Sequence, residues 1–180
     1  MLIGIEGGLG SGKTLLMVRY LLKDFNKGNQ IFSNFGLNHI PYKVLNVLEI
    51  LDFDKENKSL IDISMGIDEL TVFADCRTSI GKMNRLFSYF ILQTRKRNVN
   101  LYYTTQNMMM IDKRVREHTD IQIFCEKIKD SDGEMIEKKR HYTIWDFRDL
   151  HDIPKPTKFI LDISKYFDYY DTNEVILPPV

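Results

Sequence analysis

Gly7-Gly8-Leu9-Gly10-Ser11-Gly12-Lys13-Thr14 is the stretch on which the fold turns, because it completes the pattern G-x-x-x-x-G-K-[ST]. A short apolar run (Leu2, Ile3, Ile5) precedes it, and a helical run (Leu15, Leu16, Val18, Leu21, Leu22) follows. That strand–loop–helix setting is what a phosphate-binding loop requires. Glycines let backbone N–H groups converge on phosphate oxygens, and the following helix aims its positive dipole end at them. Lys13 can reach the β- and γ-phosphates, and the Thr14 hydroxyl can hold Mg2+. The expected cofactor-binding set is therefore Gly7, Gly8, Leu9, Gly10, Ser11, Gly12, Lys13, Thr14 and Leu15, with ATP and Mg2+ as the expected ligands. A glycine-rich turn with an incidental lysine is the alternative.

The 180 residues are 43% hydrophobic and 28% charged, values that suit one globular domain with a substantial core. Cys76 and Cys125 show neither a disulfide framework nor zinc spacing, and read as buried thiols. The chain runs straight into its first strand without a signal peptide, and no apolar run approaches the ~20 residues of a membrane span. A cytoplasmic protein is expected. The 25 basic and 25 acidic residues cancel, so bulk charge does not point to nucleic acid. Basic residues nevertheless cluster at Arg95-Lys96-Arg97, at Lys113, Arg114 and Arg116, and at Lys138-Lys139-Arg140-His141.

Outward from the glycine loop, strand-like and helix-like patterns alternate. A strand is expected over Leu2 to Glu6, a helix from the loop to about Lys27, and a second strand from Gln30 to Asn34. Val44, Val47, Leu48 and Leu51 have the spacing of a short helix. A third strand covers Leu60 to Asp68, and helices follow over Phe73 to Thr78 and Met83 to Lys96. Leu101 to Thr105 reads as a strand and Ile111 to His118 as a short charged helix. Ile121 to Ile128 and Met135 to Trp145 are β-type runs around Asp130-Ser131-Asp132-Gly133, a strong turn signal. The expected fold is α/β: a mostly parallel sheet flanked by helices, ending in a C-terminal antiparallel hairpin. Residues 1–150 form the expected domain, and 151–180 a tail packed on the core or on a neighbouring subunit.

Binding needs only the loop, whereas hydrolysis also needs a carboxylate near the metal and a group that activates water. Ile67-Asp68-Glu69 closes the third strand and offers both. Asp68 is the expected metal-supporting acid, with Thr14, and Glu69 the expected general base. Helix capping by the same two acids is the alternative. Ligands of parallel sheets bind at the carboxyl ends of strands. Gln106, just past Thr105, is thus placed to sense the γ-phosphate or to orient water. An amide that only satisfies its own turn is the other reading.

The order of these pieces resembles the zonular occludens toxin-like family, within the FtsK–HerA superfamily of DNA-pumping ATPases. The residues that carry it are the loop, Gln30 to Leu37, Ile67-Asp68-Glu69, Thr94 to Arg97, Thr105-Gln106-Asn107 and Ile111 to Glu117. The resemblance covers roughly Met1 to Asp120. It implies a RecA-like P-loop core that assembles as a homo-oligomeric ring, often hexameric, with ATP between subunits. A neighbour's arginine would complete each site; Arg116 is the favoured candidate among Arg95, Arg97, Arg114 and Arg116. Relatives serve phage assembly, viral genome packaging and DNA movement, so double-stranded DNA and a viral capsid or assembly protein are implied partners, and association with a virion is implied too. With no membrane span expected, the resemblance favours a packaging motor over an export machine.

In such a ring, basic loops multiplied by symmetry can line a DNA channel. Lys138 to His141, on a hairpin expected to lie away from the glycine loop, fits that role or that of a charged, aggregation-resistant strand edge. Two other classes stay open: a small-molecule kinase that uses its arginines as a phosphate lid, and an ATP-dependent switch that recruits a partner or assists phage extrusion.

Overall fold

The computed structural model describes residues 1–45, 62–72, 90–91, 98–149, 154–171 and 174. β1 (Leu2–Glu6) is buried along almost its whole length, as a central parallel strand covered on both faces must be. Its side chains alternate between two cores. Leu2 packs with Phe32, Met65, Ile67, Leu101 and Tyr103 on one face. Ile3 and Ile5 pack on the other with Leu16, Met17 and Leu21 of helix α1 (Lys13–Phe25).

Eight strands form one sheet, numbered in chain order and arranged β3-β2-β4-β5-β1-β6-β7-β8. The others are β2 (Gln30–Ser33), β3 (Tyr42–Val44), β4 (Ile63–Ile67), β5 (Val99–Thr105), β6 (Ile121–Lys129), β7 (Met135–Asp146) and β8 (Thr157–Asp162). From β3 across to β6 all pairings are parallel, and β6–β7 and β7–β8 are antiparallel. The fold is the expected mostly parallel α/β sheet with an antiparallel hairpin near the C-terminus. The hairpin turn is built as its sequence dictates: Asp130 Oδ1 accepts from the amides of Asp132 and Glu134 at 3.0 and 2.9 Å, and Gly133 takes φ 86°.

Asp24 ties the end of α1 to the sheet. Its Oδ2 accepts from Ser64 on β4 at 2.7 Å and from Asn100 and Tyr102 on β5 at 2.9 and 2.7 Å. Burial pushes its pKa up, but these hydrogen bonds and the Lys27 charge outweigh it and hold the carboxyl below its usual range.

Two segments depart from expectation. Val44 lies on the short exposed edge strand β3, not in a helix; the remainder of that expected helix falls outside the described residues. Thr157–Asp162, read from sequence only as part of a tail, is the edge strand β8. Beyond it a 3-10 segment (Ser164–Tyr169) returns across the α1 face, where the Asn38 amide donates to the Tyr169 carbonyl at 2.7 Å. The helices expected over Phe73 to Thr78 and Met83 to Lys96 lie almost wholly outside the described residues; Phe90 and Ile91 are helical and buried. Of the two cysteines, Cys125 is a buried thiol pushed up to about 12 by burial, and Cys76 is outside the described residues. Among the described residues no helix is long and apolar enough to cross a membrane.

Candidate functional site

The glycine loop leaves the carboxyl end of β1 and enters α1, and two of its glycines admit no side chain. A Cβ on Gly7 would stand 2.5 Å from the Cys125 carbonyl oxygen of β6. Gly12, at the N-terminus of α1, takes φ 89°, which L side chains resist. Among the described residues the amides of Gly10, Gly12, Lys13 and Thr14 donate to no carbonyl. The Lys13 side chain is only 6% exposed, and its ammonium donates to the Gly8 carbonyl at 3.2 Å. A buried ammonium with one carbonyl acceptor, beside unpaired amides at a helix N-terminus, suits the phosphates of a nucleotide. An open pocket of about 370 Å³ lies against this cradle, lined by Lys13, Thr14, Leu15, Asp68, Glu69 and Arg140 among others.

Asp68 and Glu69 arrive from the end of β4. The Thr14 hydroxyl donates to Asp68 Oδ1 at 3.0 Å, and the Thr104 hydroxyl of β5 donates to the same oxygen at 2.5 Å. The Asn34 amide side chain clamps the Asp68 backbone, accepting from its N–H at 2.7 Å and donating to its carbonyl at 3.0 Å. Mg2+ typically takes one or two protein oxygens and fills its other positions with phosphates and waters. Thr14 and Asp68 meet that need. Among the described residues there is no group of three or more His, Cys, Asp or Glu that would bind a metal without phosphates.

Glu69 has φ 50°, a left-handed conformation that is costly for a side-chain-bearing residue. Its amide is held by the Thr104 hydroxyl at 2.9 Å. Burial pushes the Glu69 carboxyl above the ordinary glutamate range; the Lys13 charge opposes this, the Asp68 charge adds to it, and a hydrogen bond from Gln106 lowers it in part. Gln106 is thus beside Glu69, one residue beyond β5, and is itself exposed.

Arg116 stands elsewhere. It lies on the short helix α2 (Lys113–Glu117), and its Nη1 donates to the Met108 carbonyl at 3.2 Å. It lines a separate pocket of about 640 Å³ with Asp120, Gln122 and Arg148, and does not line the one beside the loop. Arg114 is engaged with Asp112 at 2.9 Å. Arg95 and Arg97 fall outside the described residues.

Four residues stand at the site that the sequence did not place there, among them Arg140, which was expected to line a DNA channel or to guard a strand edge. Asn34 and Thr104 had a signal, each being a polar residue at or just past the carboxyl end of a buried strand. Tyr170 and Arg140 had none. The Tyr170 hydroxyl shares a hydrogen bond with Thr14, and burial and then the Asp68 charge raise its pKa. Arg140 overturns the expectation that the hairpin lies away from the loop: its Nε donates to the Gly10 carbonyl at 3.3 Å. Arg140 turns inward because β7 alternates sides, and the same alternation brings the Tyr142 hydroxyl to the Gly12 carbonyl at 3.3 Å.

No family model and no curated protein sequence matches this chain. Solved structures do. The N-terminal domain of zonular occludens toxin from Neisseria meningitidis is similar over 94% of this chain and 98% of its own, at 20% identity and a TM-score of 0.64. The genome packaging NTPase B204 of Sulfolobus turreted icosahedral virus 2, in complex with ATP-gammaS, is similar over 89% and 98%, at 13% identity and a TM-score of 0.59. The same protein in complex with AMP gives 15% identity and 0.58 over the same shares. The chain has a P-loop NTPase fold. At these identities the likeness concerns the fold, and what the site does rests on its own residues.

Proposed function

We propose that this chain is a Mg2+-dependent ATPase that works as a homo-oligomeric ring and moves double-stranded DNA, in the packaging of a viral or plasmid genome. The observation that carries the ATPase part is the Thr14–Asp68 hydrogen bond of 3.0 Å, with Lys13 and Glu69 lining the same pocket. In this reading the loop amides and Lys13 bind the phosphates, and Thr14 and Asp68 hold Mg2+, which neutralises phosphate charge when bound. Glu69, whose carboxyl burial pushes above the ordinary glutamate range, accepts the proton of the attacking water. Gln106 orients Glu69 and senses the γ-phosphate. Arg116, remote from the loop of its own chain, acts on a neighbouring subunit's nucleotide as a charge-stabilising finger. Residues 1–150 make the ATPase domain, to which Thr157–Asp162 adds the edge strand β8, and the rest of 151–180 packs on this core or on a neighbouring subunit.

The DNA part draws on the likeness to the B204 genome packaging NTPase. A capsid or assembly protein is the expected docking partner, and the cytoplasm or the virion the expected place of work. Phosphate release measured with and without duplex DNA, and against a panel of nucleoside monophosphates, tests both parts. DNA-stimulated release, reduced to background in Lys13→Ala, is expected. Phosphoryl transfer to a monophosphate, or wild-type hydrolysis by Lys13→Ala, refutes the reading.

A further inference from the structure

We infer that Arg140 is a nucleotide-binding residue that acts within its own subunit, gripping the phosphates common to ATP and ADP from the side of the loop opposite Glu69. This rests on the nucleotide reading above and adds to it a cation that comes from the hairpin.

The sheet order sets the direction of approach. β4 and β5, which bring Asp68, Glu69 and Thr104, lie on one side of β1, and β6 and β7 lie on the other. The glycine loop is therefore flanked by the water-activating side chains on one hand and by the hairpin on the other. Arg140 pairs in register with Lys127 across β6 and β7. Both side chains reach the loop: Arg140 Cγ is 3.0 Å from where a Cβ on Gly12 would stand, and Lys127 Nζ is 3.3 Å from where one on Gly10 would stand. A side chain at Gly12 would press on the Arg140 stem and the Tyr142 hydroxyl, both 3.0 Å away, and one at Gly10 would displace the Lys127 ammonium by a few tenths of an ångström.

The guanidinium is then held in a fixed orientation. Nε donates to Gly10 of the loop, and Nη1 donates to the carbonyls of Ile136, Glu137 and Lys139 at 3.0, 2.7 and 2.8 Å. Nη2 has no acceptor among the described residues, and Arg140 has no carboxylate partner among them. Its side chain nevertheless lines the loop pocket together with Lys13 and Thr14. An uncompensated cation, tethered through two of its nitrogens with the third spare, is preorganised for a phosphate oxygen. Because Glu69 stands across the loop, the oxygens it meets belong to phosphates remote from the bond that breaks. ADP should thus depend on Arg140 as strongly as ATP does.

The test is the ratio of ADP to adenosine affinity, by calorimetry, in wild-type protein and Arg140→Gln. Gln keeps a polar side chain for the carbonyls but removes the charge. The expected result is a loss of roughly 10- to 100-fold for ADP and ATP alike, the scale of one charged hydrogen bond, with adenosine unchanged. Unchanged ADP affinity overturns the inference. So does an equal loss for adenosine and ADP, which would make Arg140 only a staple of the loop. If the wild-type protein binds none of the three, the nucleotide reading itself fails. Should Arg140→Gln not fold, NMR on wild-type protein decides: the Arg140 Nε–H signal, assigned by its absence in Arg140→Lys, must shift with ADP and not with adenosine, and no shift with ADP overturns the proposal.

Discussion

Replacing Thr104 with Val should damage both the stability of the site and its chemistry, although Thr104 is buried and touches no expected ligand. Val keeps the shape and removes one hydroxyl. That hydroxyl makes two bonds in opposite senses, donating to Asp68 Oδ1 at 2.5 Å and accepting from the Glu69 amide at 2.9 Å. A hydrogen bond to a charged group contributes roughly 1.5–3 kcal/mol and a neutral one about 1, so Thr104→Val should lose about 3 kcal/mol. For a domain of this length each kcal/mol moves the unfolding midpoint by roughly 2–4 °C, giving a fall of about 6–12 °C. The second consequence is at Glu69. Its φ of 50° is held at one end by this bond, and without the bond the residue relaxes toward an ordinary conformation and carries its carboxylate away. If Glu69 is the base, turnover should fall by about 10²-fold, within the range of general-base catalysis. Nucleotide binding should persist, because the loop amides and Lys13 make no bond to Thr104. Differential scanning calorimetry, steady-state phosphate release and a calorimetric titration with ADP make the three measurements. Wild-type turnover with an unmoved midpoint would refute the view that Thr104 couples Asp68 to Glu69.

Glu69 itself should give the acid limb of the pH–rate profile. Its folded pKa is raised, so the base is lost as pH falls at values above the ordinary glutamate range. Glu69→Gln should abolish that limb along with most turnover, and Gln106→Ala, by removing a contribution that lowers the pKa, should move it to higher pH; a limb unmoved in both variants refutes the assignment. Asp24 works in the opposite sense: its folded pKa is depressed, so its contribution is present above the unfolded value and is lost as pH falls through the folded one, below about 3.8. Asp24→Asn should cost about 2 kcal/mol at neutral pH and flatten the acid end of the stability curve, measured by urea unfolding. Mixing Arg116→Ala with Lys13→Ala subunits should restore phosphate release that neither gives alone, since each supplies what the other lacks; full turnover by dilute wild-type monomer excludes a finger acting between subunits.

Short-range patterns account for what could be read without coordinates. β1, the glycine loop and α1 follow from an apolar run, a glycine spacing and a helical period within one stretch of chain. The turn at Asp130 follows from side-chain and glycine chemistry over five residues. Where short-range signal was weak, the reading failed. β3 is an exposed edge strand whose three residues bury no face, so no alternation marks it. β8 sits just after two prolines, with Phe159, Ile160 and Leu161 in an unbroken run rather than an alternating one.

The sequence by itself determined the glycine loop between β1 and α1, the strand-end positions of Asp68, Glu69 and Gln106, and an α/β fold with a hairpin near its C-terminus. Each depends on residues close together in the chain, where periodicity and turn chemistry act. Only the tertiary structure decided which strand lies beside which. β5 is inserted between β1 and β4 in the sheet, and that insertion places Thr104 under Asp68 and Gln106 beside Glu69. β6 and β7 on the other flank carry Arg140 to Gly10, and the chain after β8 returns Tyr170 to Thr14. Strand order is settled by how the two hydrophobic faces of the whole sheet are covered, a global balance that no local pattern encodes.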